Sequence, residues 1–292
     1  MKSIVAIGCQ AARLTRLAGC QPAGSARLAD IQSCSALRRF VFNIATKCLC
    51  YFLGFWRAFA VVFFSLCALG QNAISIPFVR RDRCLDARGA WLHGWCRFAC
   101  RVLGIRVRTH GSMPSSGLLV CNHLSYLDIV VLSSIRPCVF VAKRDVARWP
   151  LFGWLANAAG TIFVDRERKF SSPKVVNRIR DAITGGSVVV LFPEGTSSDG
   201  STVLPFKSAL LESAVQLRSP IAAASIEYAL DDGLVAEEVC YWRDMTLVPH
   251  LLNLLCKREI GANYSFSPAK VRAGNRKEIA RELRDEIVSI RS

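Results

Sequence analysis

The feature that most constrains the fold is a stretch of 22 uncharged residues at positions 58–79. As a helix, a stretch of this length crosses a hydrocarbon core of about 30 Å. Basic residues flank it on both sides: Arg38, Arg39, Lys47, Arg80, Arg81 and Arg83. Lys and Arg prefer the cytoplasmic side, so a single crossing would place one basic cluster on the wrong side. We therefore expect an N-terminal hydrophobic helical membrane anchor, with a helical hairpin or an in-plane helix pair within residues 40–79.

Positive charge is concentrated in the same N-terminal third. Residues 1–81 contain ten Lys or Arg and a single acid, Asp30, within a chain whose net charge is +16. A basic, apolar segment suits an anionic membrane surface. Nucleic acid is the other common partner of such a charge, but the sequence has no zinc-ligand spacing and no RNA-binding aromatic motif. We expect membrane lipids as partners, no nucleic acid, and the rest of the chain on the cytoplasmic face.

Residues 85–105 have the period of an amphipathic helix, with Trp91 and Trp95 on its apolar face. Tryptophan is typical of a membrane interface, and packing against the following domain explains the pattern equally well. We divide the chain into a basic, disordered tail at 1–39, a membrane-associated helical segment at 40–109 and a folded domain at 110–292.

Beyond residue 104, short apolar runs alternate with helical patterns, which predicts an α/β fold with a mostly buried sheet flanked by helices. The predicted strands are 105–108, 118–121, 139–142, 161–164, 187–192, 221–228 and 238–242. The predicted helices are 125–134, 149–159, 173–184, 209–217 and 275–291. Ser172 is the expected N-cap of the third helix. The thirteen cysteines lie mostly inside apolar runs without a C-x-x-C pair, so we interpret them as buried thiols and expect no metal site.

Residues 118–128, L-L-V-C-N-H-L-S-Y-L-D, carry the leading candidate site. A short buried strand would deliver His123 to its end, and Asp128 would lie in the first turns of the helix that follows. The carboxylate can then reach one imidazole nitrogen and leave the other as a base. Of the other histidines, we interpret His250 as a capping or core residue.

Further polar clusters follow at the ends of later strands, where open α/β sheets gather ligand contacts. Residues 160–166 read G-T-I-F-V-D-R, residues 191–198 read L-F-P-E-G-T-S-S, and Pro220-Ile221 opens another apolar strand. Any one of these clusters could be a structural turn, with Gly195 supplying a positive φ angle. Their order along the chain carries more information than each one alone.

Together these clusters resemble the four motifs of the glycerolipid acyltransferase family, of the type that acylates 1-acylglycerol-3-phosphate. The resemblance covers residues 100–230 well, and it implies that 110–292 is an acyltransferase catalytic domain. It also implies a lysophospholipid acceptor and an acyl thioester donor, acyl-CoA or acyl-carrier protein, as co-substrate rather than a bound cofactor. The expected reaction is acylation of 1-acylglycerol-3-phosphate to phosphatidate, a step of phospholipid biosynthesis, with His123 as base and Asp128 orienting it.

The resemblance further implies that Arg166 and the Glu194, Gly195 and Thr196 turn bind the acceptor, with Arg166 meeting its phosphate. Lys143 and Lys207 are additional candidates for the same anionic site. The acyl chain requires an apolar groove, which we expect to involve residues 149–159 and the N-terminal segment.

One departure affects the acceptor. The family's third motif commonly continues with Arg after Thr, whereas this chain has Ser197. A lyso-ornithine lipid carries no phosphate, so a lyso-ornithine lipid O-acyltransferase is the alternative. A non-catalytic lipid-binding membrane protein and a lipase are further alternatives; the chain has no G-x-S-x-G nucleophile turn, which disfavours the lipase, and Ser125 is its only candidate nucleophile near His123.

Overall fold

The computed structural model of the protein describes residues 26–80, 83–164 and 173–291. The chain divides into two compact units, 1–49 and 50–292. What is described of the first unit is the start of one long helix, and the strands and the candidate site lie in the second.

The helices are α1 (Ala26–Ser75), α2 (Cys84–Leu103), α3 (Leu127–Ile135), α4 (Phe152–Ala158), α5 (Pro173–Thr184), α6 (Glu212–Gln216), α7 (Val235–Glu238), α8 (Leu247–Leu255) and α9 (Arg276–Ile290). Short 3-10 turns occur at Ile76–Phe78, Arg144–Arg148 and Ser208–Leu211. The strands are β1 (Ile105–His110), β2 (Gly117–Cys121), β3 (Val139–Lys143), β4 (Ile162–Val164), β5 (Val188–Leu191), β6 (Ile221–Ala229) and β7 (Ile260–Phe266).

Helix α1 contains the candidate membrane anchor. Among the described residues, Cys48–Phe78 is the one segment long and apolar enough to cross a membrane, with a mean hydropathy of 2.0. No turn divides residues 40–75, because α1 runs unbroken to Ser75; the chain turns at Ile76–Phe78, near the end of the segment in which a helix pair was expected. Pro77 lies in that turn, where a residue without a backbone N–H ends the helix. The helix that pairs with the second half of α1 is α2.

Aromatic residues of α2 join it to α1. The Trp91 indole donates a hydrogen bond to the Ala68 carbonyl (3.1 Å), and the Trp95 indole donates to the Gln71 side chain (2.7 Å). The rings of Phe64 and Phe98 meet edge to face, with centroids 4.6 Å apart. Both tryptophans therefore bond to the preceding helix α1, whereas the sequence offered a membrane interface or the following domain as explanations.

Arg57 attaches α1 to the end of α8. Its side chain is buried and donates to the Leu255 carbonyl (3.3 Å) and the Arg258 carbonyl (3.2 Å), and it also bonds the Lys257 carbonyl. Carbonyls at the C-terminal end of a helix lack intrahelical partners, and a cation there is favourable. This contact accounts for a charge at the border of the apolar segment.

We expect Arg57→Met to reduce stability, because the carbonyls at the end of α8 would stay buried without donors. A loss of about 1–3 kcal/mol is typical for hydrogen bonds to a charged group. The melting temperature in detergent measures it. Arg97→Met, the same change at an exposed position of α2, is the control, and an equal shift in both variants would contradict the docking role.

In the described part of the chain the strands form a seven-stranded sheet in the order β1-β7-β6-β2-β5-β3-β4. The β6–β7 pair is antiparallel and the other neighbouring pairs are parallel. Strands β2, β3, β4 and β5 therefore all end at the same edge, the edge where parallel α/β sheets collect their ligand contacts.

Both faces of the central strands are covered. Within β2, Leu119 and Cys121 contribute to one apolar cluster, whereas Leu118 and Val120 contribute to the other. Successive side chains of a strand point to opposite faces, so this division shows apolar packing on both sides of the sheet. The predicted α/β class with a mostly buried sheet is confirmed.

Two strand predictions need correction. Residues 238–242 are not a strand, because the amides of Val239 and Cys240 donate to the carbonyl of Val235 and continue the turn of α7. Strand β7 was missed, although Ile260, Ala262, Tyr264 and Phe266 alternate as buried residues. Its intervening residues, Gly261, Asn263 and Ser265, keep the alternation but have weak strand preference, so the composition of the segment does not favour a strand.

Candidate active site

The turn between β2 and α3 holds Asn122 and His123. The Asn122 amide donates to the Ile226 carbonyl (3.1 Å) and accepts from the Ile226 amide (2.8 Å). The β2–β6 ladder ends at the Cys121 and Ala224 pair, so this side chain continues the ladder by one more pair of bonds. The position at which His123 leaves the sheet is fixed accordingly.

His123 and Asp128 are in direct contact. The imidazole Nδ1 lies 2.7 Å from Asp128 Oδ2, and the aspartate side chain is fully buried, whereas 22% of the histidine side chain is exposed. An ionised carboxylate can only accept, so Nδ1 carries the proton and Nε2 has the lone pair of a base. The Phe192 ring stacks on the imidazole at a centroid distance of 4.3 Å and limits its rotation.

Asp128 is itself held by several donors. Its Oδ2 atom also accepts from the backbone amides of Leu124 (2.8 Å) and Ser125 (3.1 Å). Its Oδ1 atom accepts from the Tyr228 hydroxyl, at 2.6 Å. Charge-assisted bonds of this kind offset the cost of burying a carboxylate. The local sequence gave no indication of Tyr228, which lies one hundred residues away.

The loop after β5 forms two hydrogen bonds with the backbone of His123. Glu194 Oε1 accepts from the His123 amide (3.1 Å), and the Ser198 amide donates to the His123 carbonyl (3.0 Å). Gly195 has φ +69°, and a Cβ there would lie 2.7 Å from the Lys207 amine. The positive φ favours glycine here, and the exposed Lys207 side chain lies against this loop.

The Glu194 carboxyl is almost completely buried. Burial raises its pKa from 4.5 to about 8, although the hydrogen bond from the His123 amide acts in the opposite direction. Its Oε2 atom has no hydrogen-bond partner among the residues that the structure describes. A pKa near 8 means that a large fraction of Glu194 keeps its proton at neutral pH.

We expect Glu194→Gln to flatten the pH dependence of stability. Between pH 4.5 and 8 the folded protein retains a proton that the unfolded chain loses, so wild-type stability falls as pH rises, by up to about 1.4 kcal/mol per pH unit. Glutamine keeps the acceptor for the His123 amide without a titrating proton. The melting temperature of the variant relative to wild type should therefore rise from pH 5 to pH 8. Glu237→Gln, at an exposed position, should keep the wild-type slope, and a constant difference for Glu194→Gln would contradict the assignment.

The other predicted site residues are placed as follows. Lys143 ends β3, at the same edge of the sheet as His123 and the Glu194 loop, and is half-buried. Thr196 is exposed within the loop. Arg166 and the expected N-cap Ser172 lie outside the described residues. The roles of these residues, and of His123, Asp128, Glu194, Gly195 and Lys207, stay predictions.

Residues 241–250 pack on the turn between β2 and α3. The Tyr241 amide donates to the Leu124 carbonyl (2.8 Å), and the Ser197 hydroxyl donates to the Tyr241 carbonyl. His250 is buried, with Nδ1 3.0 Å from the Tyr126 hydroxyl and Nε2 2.9 Å from the Cys240 carbonyl. The interpretation of His250 as a core residue is confirmed.

An apolar cavity of about 210 Å³ lies beside this turn. Tyr126 and Leu127, which follow directly after the His123 turn, contribute to its wall. Much of the remaining wall comes from α1, α2 and the region around α4, including Ala60, Phe64, Trp91, Trp95, Trp149 and Phe152, and residues of α3, β3 and α8 complete it. The cavity corresponds to the apolar groove that we expected to involve residues 149–159 and the N-terminal segment.

Comparison with known proteins gives four findings. Residues 104–227 match the family model described as Acyltransferase. The lyso-ornithine lipid O-acyltransferase of Rhizobium meliloti is 38% identical over 68% of this chain and 73% of its own length. The 1-acyl-sn-glycerol-3-phosphate acyltransferase of Neisseria gonorrhoeae is 30% identical over 46% of this chain and 56% of its own length. The structure of the 1-acyl-sn-glycerophosphate acyltransferase of Thermotoga maritima matches 83% of this chain and 91% of its own, with a TM-score of 0.55 at 18% identity, a likeness of fold.

Proposed function

Because this chain belongs to the glycerolipid acyltransferase family and is an acyltransferase of lipid substrates, we propose that it transfers a fatty acyl group from acyl-CoA or acyl-carrier protein to the hydroxyl of a lyso-ornithine lipid. The observation that carries the reaction is the His123 and Asp128 pair (2.7 Å) beside an apolar cavity. We assign His123 as the base and Asp128 as the residue that orients it.

In the proposed mechanism, His123 Nε2 takes the proton of the acceptor hydroxyl as its oxygen attacks the thioester carbonyl. The tetrahedral intermediate collapses, the carbon–sulfur bond breaks, and the imidazolium returns the proton to the thiolate. The products are an ester and a free thiol. Asp128 stabilises the imidazolium between these two steps, and base catalysis of this kind contributes roughly 10²–10⁴-fold.

The mechanism needs no nucleophile from the protein, because the acceptor brings its own hydroxyl. Ser125 is fully buried, and its hydroxyl has no hydrogen-bond partner within the described ranges. A nucleophilic serine must reach the substrate and bond to its base. The position of Ser125 therefore argues against the lipase alternative.

We assign the apolar cavity to an acyl chain. Its wall is almost entirely hydrocarbon and continues into α1, the candidate membrane anchor. Each methylene group that leaves water contributes about 0.8 kcal/mol. Since Tyr126 and Leu127 lie at both the cavity and the catalytic turn, a chain bound there would have its carbonyl end near His123. Residues 40–109 would then form the membrane-associated segment, with the catalytic domain, 110–292, on the cytoplasmic face.

The proposed acceptor fits the loop around Ser197. In place of the arginine common in this family, the Ser197 hydroxyl bonds the Tyr241 carbonyl and brings no positive charge. Lys207 lies against Gly195 in the same loop. A single amine can pair with the carboxylate of an amino-acid headgroup, whereas a phosphate is better matched by a guanidinium fork. The identity and coverage of the Rhizobium meliloti relative support the same acceptor.

The second candidate acceptor is 1-acylglycerol-3-phosphate, with phosphatidate as the product. The Neisseria gonorrhoeae relative favours it. So does Arg166, two residues beyond the end of β4, which we assign to the acceptor phosphate in this alternative. Thr196, Lys143 and the Glu194 carboxyl would then complete the acceptor site.

The deciding experiment offers both acceptors to the purified protein in detergent, each with labelled acyl-CoA and with acyl-carrier protein. A higher kcat/KM with lyso-ornithine lipid supports the first proposal, and a higher value with lysophosphatidate supports the second. Product from neither acceptor, with a known acyltransferase active alongside, would contradict both. Arg166→Ala should raise the KM of lysophosphatidate far more than that of the aminolipid; equal effects would remove its assigned phosphate role.

A further inference from the structure

Strand β6 lies beside β2 and contacts the segment from Asn122 to Asp128 at two places. The backbone of Ile226 pairs with the Asn122 side chain (2.8 and 3.1 Å). Two residues further along, the Tyr228 hydroxyl donates to Asp128 Oδ1 at 2.6 Å. The sheet thus holds both the start of the turn and the carboxylate that faces the imidazole.

The Tyr228 contact completes the coordination of Asp128. From the described residues, Oδ2 receives the Nδ1 proton of His123 and the amides of Leu124 and Ser125, whereas Oδ1 receives the Tyr228 hydroxyl. The first three donors come from the same short segment of chain as Asp128. Tyr228 alone among them ties the carboxylate to the rigid sheet. Without it, Oδ1 would have no donor among the described residues, and the carboxyl group would be held through Oδ2 alone.

The chemical state of Tyr228 suits this task. Burial, and then the negative charge of Asp128, raise the pKa of this phenol well above its ordinary value, so it stays a neutral donor. A hydroxyl bonded to a carboxylate is among the stronger hydrogen bonds in proteins.

We propose that Tyr228 is a positioning residue of this enzyme, which sets the orientation and basicity of Asp128 and, through it, of His123. The inference rests on the proposed role of His123 as the base. Donation from the phenol withdraws negative charge from the carboxylate, which therefore attracts the imidazolium less strongly than a carboxylate without this donor. Removal of the hydroxyl should both loosen the aspartate and raise the pH at which His123 gains a proton.

The test compares Tyr228→Phe with Tyr264→Phe. Tyr264 is a second buried tyrosine, on β7, and its hydroxyl contacts the backbone carbonyl of Asp128, at 3.5 Å, and the Cys121 side chain rather than the Asp128 carboxylate. Each variant loses one buried hydroxyl, and only the first leaves Asp128 Oδ1 without its donor. Both variants keep the other titratable groups near His123 and Asp128, which are Glu194, Cys121 and Cys240.

For Tyr228→Phe we expect kcat to fall about tenfold, the size of a lost hydrogen bond to a charged group, with the acceptor KM unchanged. The acidic limb of the pH–rate profile should move to higher pH. Its midpoint does not depend on the amount of folded enzyme, so a modest loss of stability does not obscure it. Tyr264→Phe should keep the wild-type midpoint and kcat within about twofold.

Three results would overturn the proposal: equal effects of the two substitutions, a change confined to KM, or loss of folded protein for Tyr228→Phe alone. Wild-type enzyme and His123→Ala are measured alongside with the acceptor that wild type prefers. Inactive wild type would count against the proposed function. Active wild type with inactive His123→Ala and normal Tyr228→Phe would count against Tyr228 alone.

Discussion

Replacement of His123 with alanine is expected to reduce acyl transfer by roughly 10²–10⁴-fold while the protein remains folded and bound to the membrane. The imidazole is the base in the proposed reaction. Its side chain is partly exposed, and the contacts that fix its backbone, from Glu194 and Ser198, do not depend on the ring. Labelled product formed per unit time, from matched amounts of folded protein, measures the effect.

His110→Ala is the matched control, because His110 lies exposed at the end of β1. This variant should retain wild-type activity. If His123→Ala kept more than about a tenth of the wild-type rate, the assignment of the base would be wrong, given the usual size of this contribution.

Asp128→Asn is expected to lower kcat by an amount of similar order, up to roughly 10⁴-fold. An amide in place of the carboxylate has one acceptor oxygen for the donors that now surround Asp128, namely His123 Nδ1, the Leu124 and Ser125 amides and the Tyr228 hydroxyl. If its NH₂ group faces the imidazole, the Nδ1 proton is no longer accepted and the other tautomer is favoured. The basic lone pair is then no longer at Nε2.

The same substitution should also reduce the melting temperature, because buried donors would lose their charged acceptor. Activity is therefore compared at a temperature well below the transition, with the folded fraction measured by circular dichroism. Asp244→Asn, at an exposed position, should change neither activity nor melting temperature. An active Asp128→Asn enzyme would show that His123 needs no carboxylate.

The proposed acceptor also differs from the one that the sequence motifs favoured first. The motif resemblance pointed to lysophosphatidate, and Ser197 was the one residue that put it in doubt. The structure adds that the Ser197 hydroxyl bonds a backbone carbonyl, and the Rhizobium meliloti relative adds the similarity to a lyso-ornithine lipid enzyme.

The sequence by itself predicted the α/β class, and the resemblance of its motifs to the glycerolipid acyltransferase family predicted the reaction class. His123 and Asp128 are five residues apart, and a strand, a turn and the start of a helix are enough to bring them together, so local patterns predicted their contact. The α/β class followed from the alternation of apolar runs with helical periods. Strand β7 was not predicted because residues with weak strand preference, Gly, Asn and Ser, occupy its alternate positions. Residues 238–242 were predicted as a strand because the buried residues Val239 and Cys240 are compatible with a strand as well as with a helical turn.

Only the tertiary structure decided what surrounds that pair. Glu194 reaches the His123 amide from 71 residues away, and Tyr228 reaches Asp128 from one hundred. Both contacts depend on β2 lying between β5 and β6, and local periodicity carries no information on strand order. The apolar cavity likewise needs α1, α2, α3 and α4 to meet. Hydrophobic patterns report which face of each helix is buried, but the neighbour that covers it is set by packing of the whole domain.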